Sequence, residues 1–265
     1  MGRYDGNTNQ MVSKVVEVFD ESAGVQRAGG SVAQISQVFK FGFQPSIGTT
    51  ELPVWDVTAV YDYLTTAKTM TISSDAAAGT DDAAGTGART VKITGQGDNG
   101  VEVSETLTMN SSVAVSTTRP YRRVYRMQVM TAGASATNTG NIYLGASTVT
   151  GGIPAEKYAM ITTGEGQTLM ALYTVPAGKT AFMVNFNLTQ TGGGTGLATI
   201  RLLARPSGGA WNVKNKFTVN NNTVNTNLID SPPPFAAGTD IEVRAKADTG
   251  TLPVSATFGL ILKDV

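Results

Sequence analysis

The sequence predicts an all-β protein, and three observations carry that expectation. Apolar residues recur in short runs at alternate positions, the period of a half-buried strand. Clusters of Gly, Asn, Thr and Pro separate the runs and turn the chain. No alternation of strands with helical patterns appears, so a parallel α/β sheet is not expected. The regular spacing of strands and turns predicts two β-sandwich, jelly-roll-like domains, 35–163 and 164–265, behind an N-terminal arm or short helix over 1–34.

Each element has its own reason. In the first 34 residues, Val12, Val15, Val16 and Phe19 suit one face of a short helix, and SAGVQRAGG then punctuates. Ile35, Val38, Phe39, Phe41 and Phe43 make the first strand, ended by Pro45. ELPVWDVTAVYDYL places Trp55, Val57, Ala59 and Tyr61 on alternate positions and reads as a second. TMTIS follows, then the loop SDAAAGTDDAAGTG. TVKIT and VEVSETLTM form the clearest hairpin, with Glu105 on an otherwise apolar face. Either a bulge turns Glu105 outward or it is paired and half-buried. VAVST, YRRVYRMQVMT and NIYLG continue the series. The second domain reads as LMALYTV, TAFMVNFNLT, LATIRLLARP, WNVKNKFTV, IEVRAKA and VSATFGLILKDV, with SPPPF confined to a connection.

Composition removes much of catalysis. The 265 residues contain no His and no Cys, which excludes an imidazole base, a thiolate nucleophile, a Ser-His-Asp triad, and zinc held by those ligands. Twenty basic residues balance twenty acidic ones, so nothing demands nucleic acid or an anionic membrane. Charged residues are 15% of the chain, against roughly 25% in an ordinary globular domain. A neutral, lightly charged surface favours association with neighbours. MGRYDGNTNQ is polar and no apolar run follows it, so no secretory segment is expected.

The motifs that resemble chemistry have plainer readings. Gly95-Gln96-Gly97-Asp98-Asn99-Gly100 matches a dinucleotide fingerprint in letters, but a strand follows it where the fingerprint needs a helix. A hairpin turn is expected instead. Asp75, Asp81 and Asp82 lack the calcium-loop spacing and read as a solvated loop. Glu102, Glu105, Glu156 and Glu165 are the carboxylates that keep glycoside hydrolysis formally open, since that chemistry needs neither His nor Cys. No cofactor or metal is expected. The remaining cluster is Arg119, Arg122, Arg123 and Arg126 around Tyr121 and Tyr125. A grip on nucleic acid is one reading. With zero net charge, pairing with carboxylates inside the subunit or across an interface is preferred, and these six are the candidate interface residues.

The segments FKFGFQPSIGTTELPVWD, YRRVYRMQVMTAGASATNTGNIYL and LMALYTVPAGKTAFMVNF resemble those of virion structural proteins of tailed bacteriophages, across most of residues 37–265. The resemblance rests on strand-turn phrases, not on a catalytic signature. It implies a noncatalytic, often trimeric β-protein on the particle surface, made in the host cytoplasm. A capsid decoration (cement) protein bound to the major capsid protein lattice is the first expectation. A tail-associated or receptor-binding fibre protein that contacts host glycan is the alternative. No specific nucleic acid or membrane partner is implied.

Overall fold

A computed structural model describes residues 35–190, 196–220 and 224–265. The expected arm or helix over 1–34 lies outside the described residues. All regular elements among them are strands. The first half runs β1 (Ile35–Ile47), β2 (Leu52–Pro53), β3 (Thr71–Ser74), β4 (Ala88–Gln96), β5 (Glu102–Thr108), β6 (Val115–Ser116), β7 (Arg123–Ala132), β8 (Ile142–Gly145), β9 (Val149–Thr150), β10 (Ile153–Pro154) and β11 (Lys157–Ile161). The second runs β12 (Leu172–Thr174), β13 (Lys179–Gln190), β14 (Ala198–Arg205), β15 (Asn212–Val219), β16 (Val224–Leu228), β17 (Pro234–Phe235), β18 (Asp240–Ala247) and β19 (Leu252–Asp264).

The strands form small antiparallel sheets. Two carry the later strands: β1-β19-β13-β16, with β17 also on β13, and β12-β18-β14-β15, with β2 also on β18. The earlier strands form β11-β8-β3-β6, β5-β4-β7 and the β9-β10 pair. Burial follows the sheets. One apolar cluster collects Phe186, Phe258, Ile200, Val243 and their neighbours from the two later sheets. A second collects Trp55, Tyr61, Ile93, Tyr121, Met127 and Tyr158, all from residues 55–172. Phe186 and Phe258 are register partners, and fully burying each such side chain is worth about 1.5–3 kcal/mol.

Several local expectations change. β1, expected within the 35–163 unit, pairs along its length with β19, so its side chains enter the cluster of the later sheets. That pairing spans more than two hundred residues, and alternation within β1 carries no information about it. β1 also continues through Pro45 to Ile47 with a shift of register after Gln44. An edge strand tolerates the missing amide. The expected strand over residues 51–64 reduces to Leu52–Pro53. Trp55 and Tyr61 are buried, but the Trp55 indole N–H donates to the Ala59 carbonyl (2.8 Å) and the Ala59 amide to Val57, curling the segment over the second core. The β4-β5 hairpin forms with unbroken register. Glu105 therefore stays on its face, half-buried, and accepts from the Thr118 amide and hydroxyl, both at 2.9 Å.

Candidate functional site

The structure disperses the arginine-tyrosine cluster. Tyr121 and Tyr125 are core residues. Arg119 stays exposed and Arg122 half-buried. Arg123 is 5% exposed, too buried to serve a surface contact. Its Nε and Nη2 donate to the two Asp240 carboxylate oxygens at 3.0 and 3.3 Å, and Nη1 donates to the Leu64 carbonyl at 2.7 Å. For Arg123, carboxylate pairing thus occurs inside the chain, between β7 and β18. Arg126 lies at the β1 edge: its guanidinium donates to the Phe39 carbonyl at 2.6 Å and stands 5.8 Å from the Phe41 ring centre.

Asp240 organises a larger network. Arg205, its register partner on β14, donates to it from Nε (3.1 Å) and Nη2 (2.6 Å), and the Thr174 hydroxyl donates at 2.6 Å. The Arg205 guanidinium lies 4.6 Å from the ring centres of both Tyr63 and Trp211. Glu242, two residues along β18, accepts from Tyr63 and Arg244. Burial raises the Glu242 carboxyl above its ordinary range, against the pull of Arg244 and the Tyr63 hydroxyl. Both carboxylates are fully engaged, so the network holds strands together and offers no free nucleophile or base. Sequence reasoning missed Tyr63, Arg205, Trp211, Asp240, Glu242 and Arg244. One signal was available: Asp240, Glu242 and Arg244 occupy alternate positions of a strand whose other residues, Ile241, Val243 and Ala245, are apolar. A charged stripe on a strand buried on both faces must find partners.

Lys40 is a second buried charge. It points into the core from β1 and donates to the Tyr125 carbonyl. Burial and then the nearby Arg126 charge hold its ammonium well below the usual lysine range.

The other motifs resolve into scaffold. The Gly-rich hexamer is the β4-β5 turn: the Gly97 amide donates to Val101, the Gly100 amide to Gly97, and Gly100 takes a φ of 74°. Gly95 has no room for a side chain, since a Cβ there would sit 2.1 Å from the Arg123 carbonyl oxygen. Asp81 corrects the solvated-loop expectation, being fully buried. It accepts from the amides of Ala88, Thr139 and Gly140 and the hydroxyls of Ser74 and Thr139. Asp75 accepts from Asn141 and Tyr143. Among the described residues no group of three or more acidic side chains is placed to hold a metal ion. Glu156 is brought beside Asp62 at the Tyr158 hydroxyl.

No family model matches the chain, and no curated protein matches it. The solved structures it is similar to include infectious bursal disease virus, Gx strain, at 11% identity over 91% of this chain and 74% of that one, with a TM-score of 0.24. A T13 particle of the same virus gives 10% identity over 97% and 76%, TM-score 0.25. Its VP2 subviral particle gives 11% over 96% and 78%, TM-score 0.20. TM-scores this low establish no common fold.

Asp56 carries a pH prediction. Burial pushes its carboxyl from 3.8 up to about 7, against hydrogen bonds from the Leu169 amide (2.6 Å) and the Thr162 hydroxyl (3.2 Å). The folded chain therefore holds a proton that the unfolded chain has released. Its stabilising contribution is complete below the unfolded value and is lost as pH rises through about 7. Urea unfolding of wild type against Asp56→Asn across pH 5–8 should show wild type losing ground with a slope of at most about 1.4 kcal/mol per pH unit. Parallel pH profiles would contradict it.

Proposed function

We propose that the protein is a noncatalytic structural component of a virus particle, a decoration (cement) protein that binds the assembled shell. One observation carries the reading: two adjacent uncharged rungs on one sheet face, with apolar side chains at both edges. Register and the two-residue period put Phe39, Gly259, Asn185 and Leu228 on one rung of the β1-β19-β13-β16 sheet, on the side away from its core. The next rung holds Phe41, Thr257, Asn187 and Thr226. None of the eight is charged. Phe39 is 55% and Leu228 78% exposed. A face of this kind suits a repeated, lightly solvated contact with neighbouring subunits. Arg126 stands at its margin on Phe41.

Strand order supports a jelly-roll architecture, one that capsid proteins share with lectins and cupins. Take β1, β12, β13, β14, β15, β16, β18 and β19 as eight strands in chain order. One sheet then runs first-eighth-third-sixth and the other second-seventh-fourth-fifth. That is the order of two Greek keys closed into a jelly roll. On this reading the second core, residues 55–172, belongs to a unit inserted between the first two strands. The shell lattice is the proposed partner, and the phage resemblance implies a trimer.

The mechanism is mass action: a protein that binds only the assembled lattice stabilises it by its binding free energy. Particles lacking this protein should release DNA at a lower temperature than complete ones, with complete particles carrying many copies spread over the shell. Equal heat stability, or a few copies at one vertex, would overturn the reading.

A further inference from the structure

A cavity of about 260 Å³ opens between residues 57–62 and 155–158, lined by Val57, Ala59, Val60, Asp62, Ala155, Glu156, Lys157 and Tyr158. It lies away from the uncharged sheet face, and neither the charge network nor the shell reading uses it. Tyr158 is 1% exposed, yet its hydroxyl reaches the cavity wall and lies 3.3 Å from Asp62 Oδ2 and 3.4 Å from Glu156 Oε2. One hydroxyl proton serves two acceptors, so the tyrosine holds a pair of carboxylates side by side with lone pairs to spare.

The lining decides what fits. The two carboxylates face Lys68, 3.7 Å from Glu156, while the Lys157 ammonium stands over the Tyr143 ring, 5.9 Å from its centre. Lys68 offsets part of the field that would draw a cation. Two carboxylates and a phenol also fall short of the roughly six to eight oxygens that calcium takes. What remains is a neutral ligand that both donates and accepts hydrogen bonds. Val57, Ala59, Val60 and Ala155 add an apolar wall, and Val60 stands 62% exposed at the rim. Hydroxyls on one side and a C–H face on the other describe a pyranose ring. The volume sits just below the roughly 300–1,000 Å³ of pockets for drug-sized ligands, which suits one sugar unit of a longer glycan.

We propose that this cavity binds a saccharide, with vicinal hydroxyls donating to Asp62 and Glu156 and the ring resting on Val57 and Val60. The site binds without cleaving. A glycosidase needs the reacting carbon between its two carboxylates. Here the Tyr158 oxygen occupies that place.

Saturation-transfer NMR on the full chain tests this with methyl glycosides of glucose, galactose, mannose and N-acetylglucosamine as probes. At least one should receive saturation and bind saturably. Asp62→Asn with Glu156→Gln should weaken it at least about tenfold, the effect of losing one charge-assisted hydrogen bond. Both side chains are exposed, and an unchanged melting temperature certifies the fold. No transfer to any glycoside, equal transfer to the double variant, or displacement by n-butylammonium but not by the same concentration of sodium would overturn the proposal. Release of methanol in the same spectra would overturn binding without cleavage. The result is independent of particle heat stability, so this reading and the shell reading fail separately.

Discussion

Replacing Asp240 with alanine is expected to cost the fold about 3–5 kcal/mol, the penalty for stranding a buried partner charge. Asp240 is 3% exposed and accepts five hydrogen bonds, two each from Arg123 and Arg205 and one from Thr174. Arg205 keeps some solvent and two aromatic faces, so it can relax. Arg123 cannot, with its side chain 6% exposed and clamped to the Leu64 carbonyl. Urea unfolding followed by the fluorescence of Trp55 and Trp211 should show the midpoint fall without a change of slope. The double variant Arg123→Met with Asp240→Ala should recover part of the loss, because it removes the charge along with its partner. A cost under about 1 kcal/mol for the single change would place the pair in the class of exposed ion pairs and refute its structural role.

This pair also marks where the sequence is legible and where it is not. Strand existence is a local property: Val91 and Ile93 alternate with Lys92 and Thr94, and β4 forms there and pairs with β5 as expected. Partnership is not local. The sequence does not name the partner of Arg123, because its carboxylate lies 117 residues further along the chain. The six candidate interface residues take different places for the same reason. Two are core tyrosines, Arg123 is a buried ion-pair member, Arg119 is exposed, Arg122 is half-buried, and Arg126 lies on Phe41. The uncharged rungs were hidden too, since Phe39, Asn185 and Leu228 share a rung only through the pairing of β1, β19, β13 and β16. The saccharide cavity shows a milder case. Glu156 was visible as a carboxylate, but its companion Asp62 and their spacer Tyr158 lie on separate segments that the second core brings together.

Asp81→Ala is expected to destabilise the chain by about as much as Asp240→Ala, through a different mechanism. Among the described residues no arginine pairs with Asp81. Its carboxylate is buried at 0% exposure and satisfies three backbone amides: Ala88 at 2.8 Å, Thr139 at 2.9 Å and Gly140 at 3.0 Å. The Ser74 hydroxyl adds a fourth donor at 2.7 Å and the Thr139 hydroxyl a fifth at 3.1 Å. The carboxylate thereby ties the end of β3, the start of β4 and the approach to β8, three pieces of chain otherwise joined by a Gly- and Ala-rich loop with little apolar surface to bury. Alanine leaves those amides without acceptors, and each buried unsatisfied group costs about 1–3 kcal/mol. Asparagine is the sharper probe. It keeps the acceptor for Ala88 and Thr139 if its oxygen takes the Oδ1 place, but then its NH₂ faces the Gly140 amide, donor against donor. Asp81→Asn should therefore remain clearly destabilised, where a merely solvated loop carboxylate would tolerate it. Hydrogen exchange gives the local readout: the Ala88, Thr139 and Gly140 amides should lose protection in both variants, while those of β13 and β19 keep it. Calcium separates this account from a metal loop. Excess calcium or chelator should leave the wild-type melting temperature unchanged, because the oxygens a cation would need already hold backbone hydrogens, and a calcium-dependent rise would overturn the assignment.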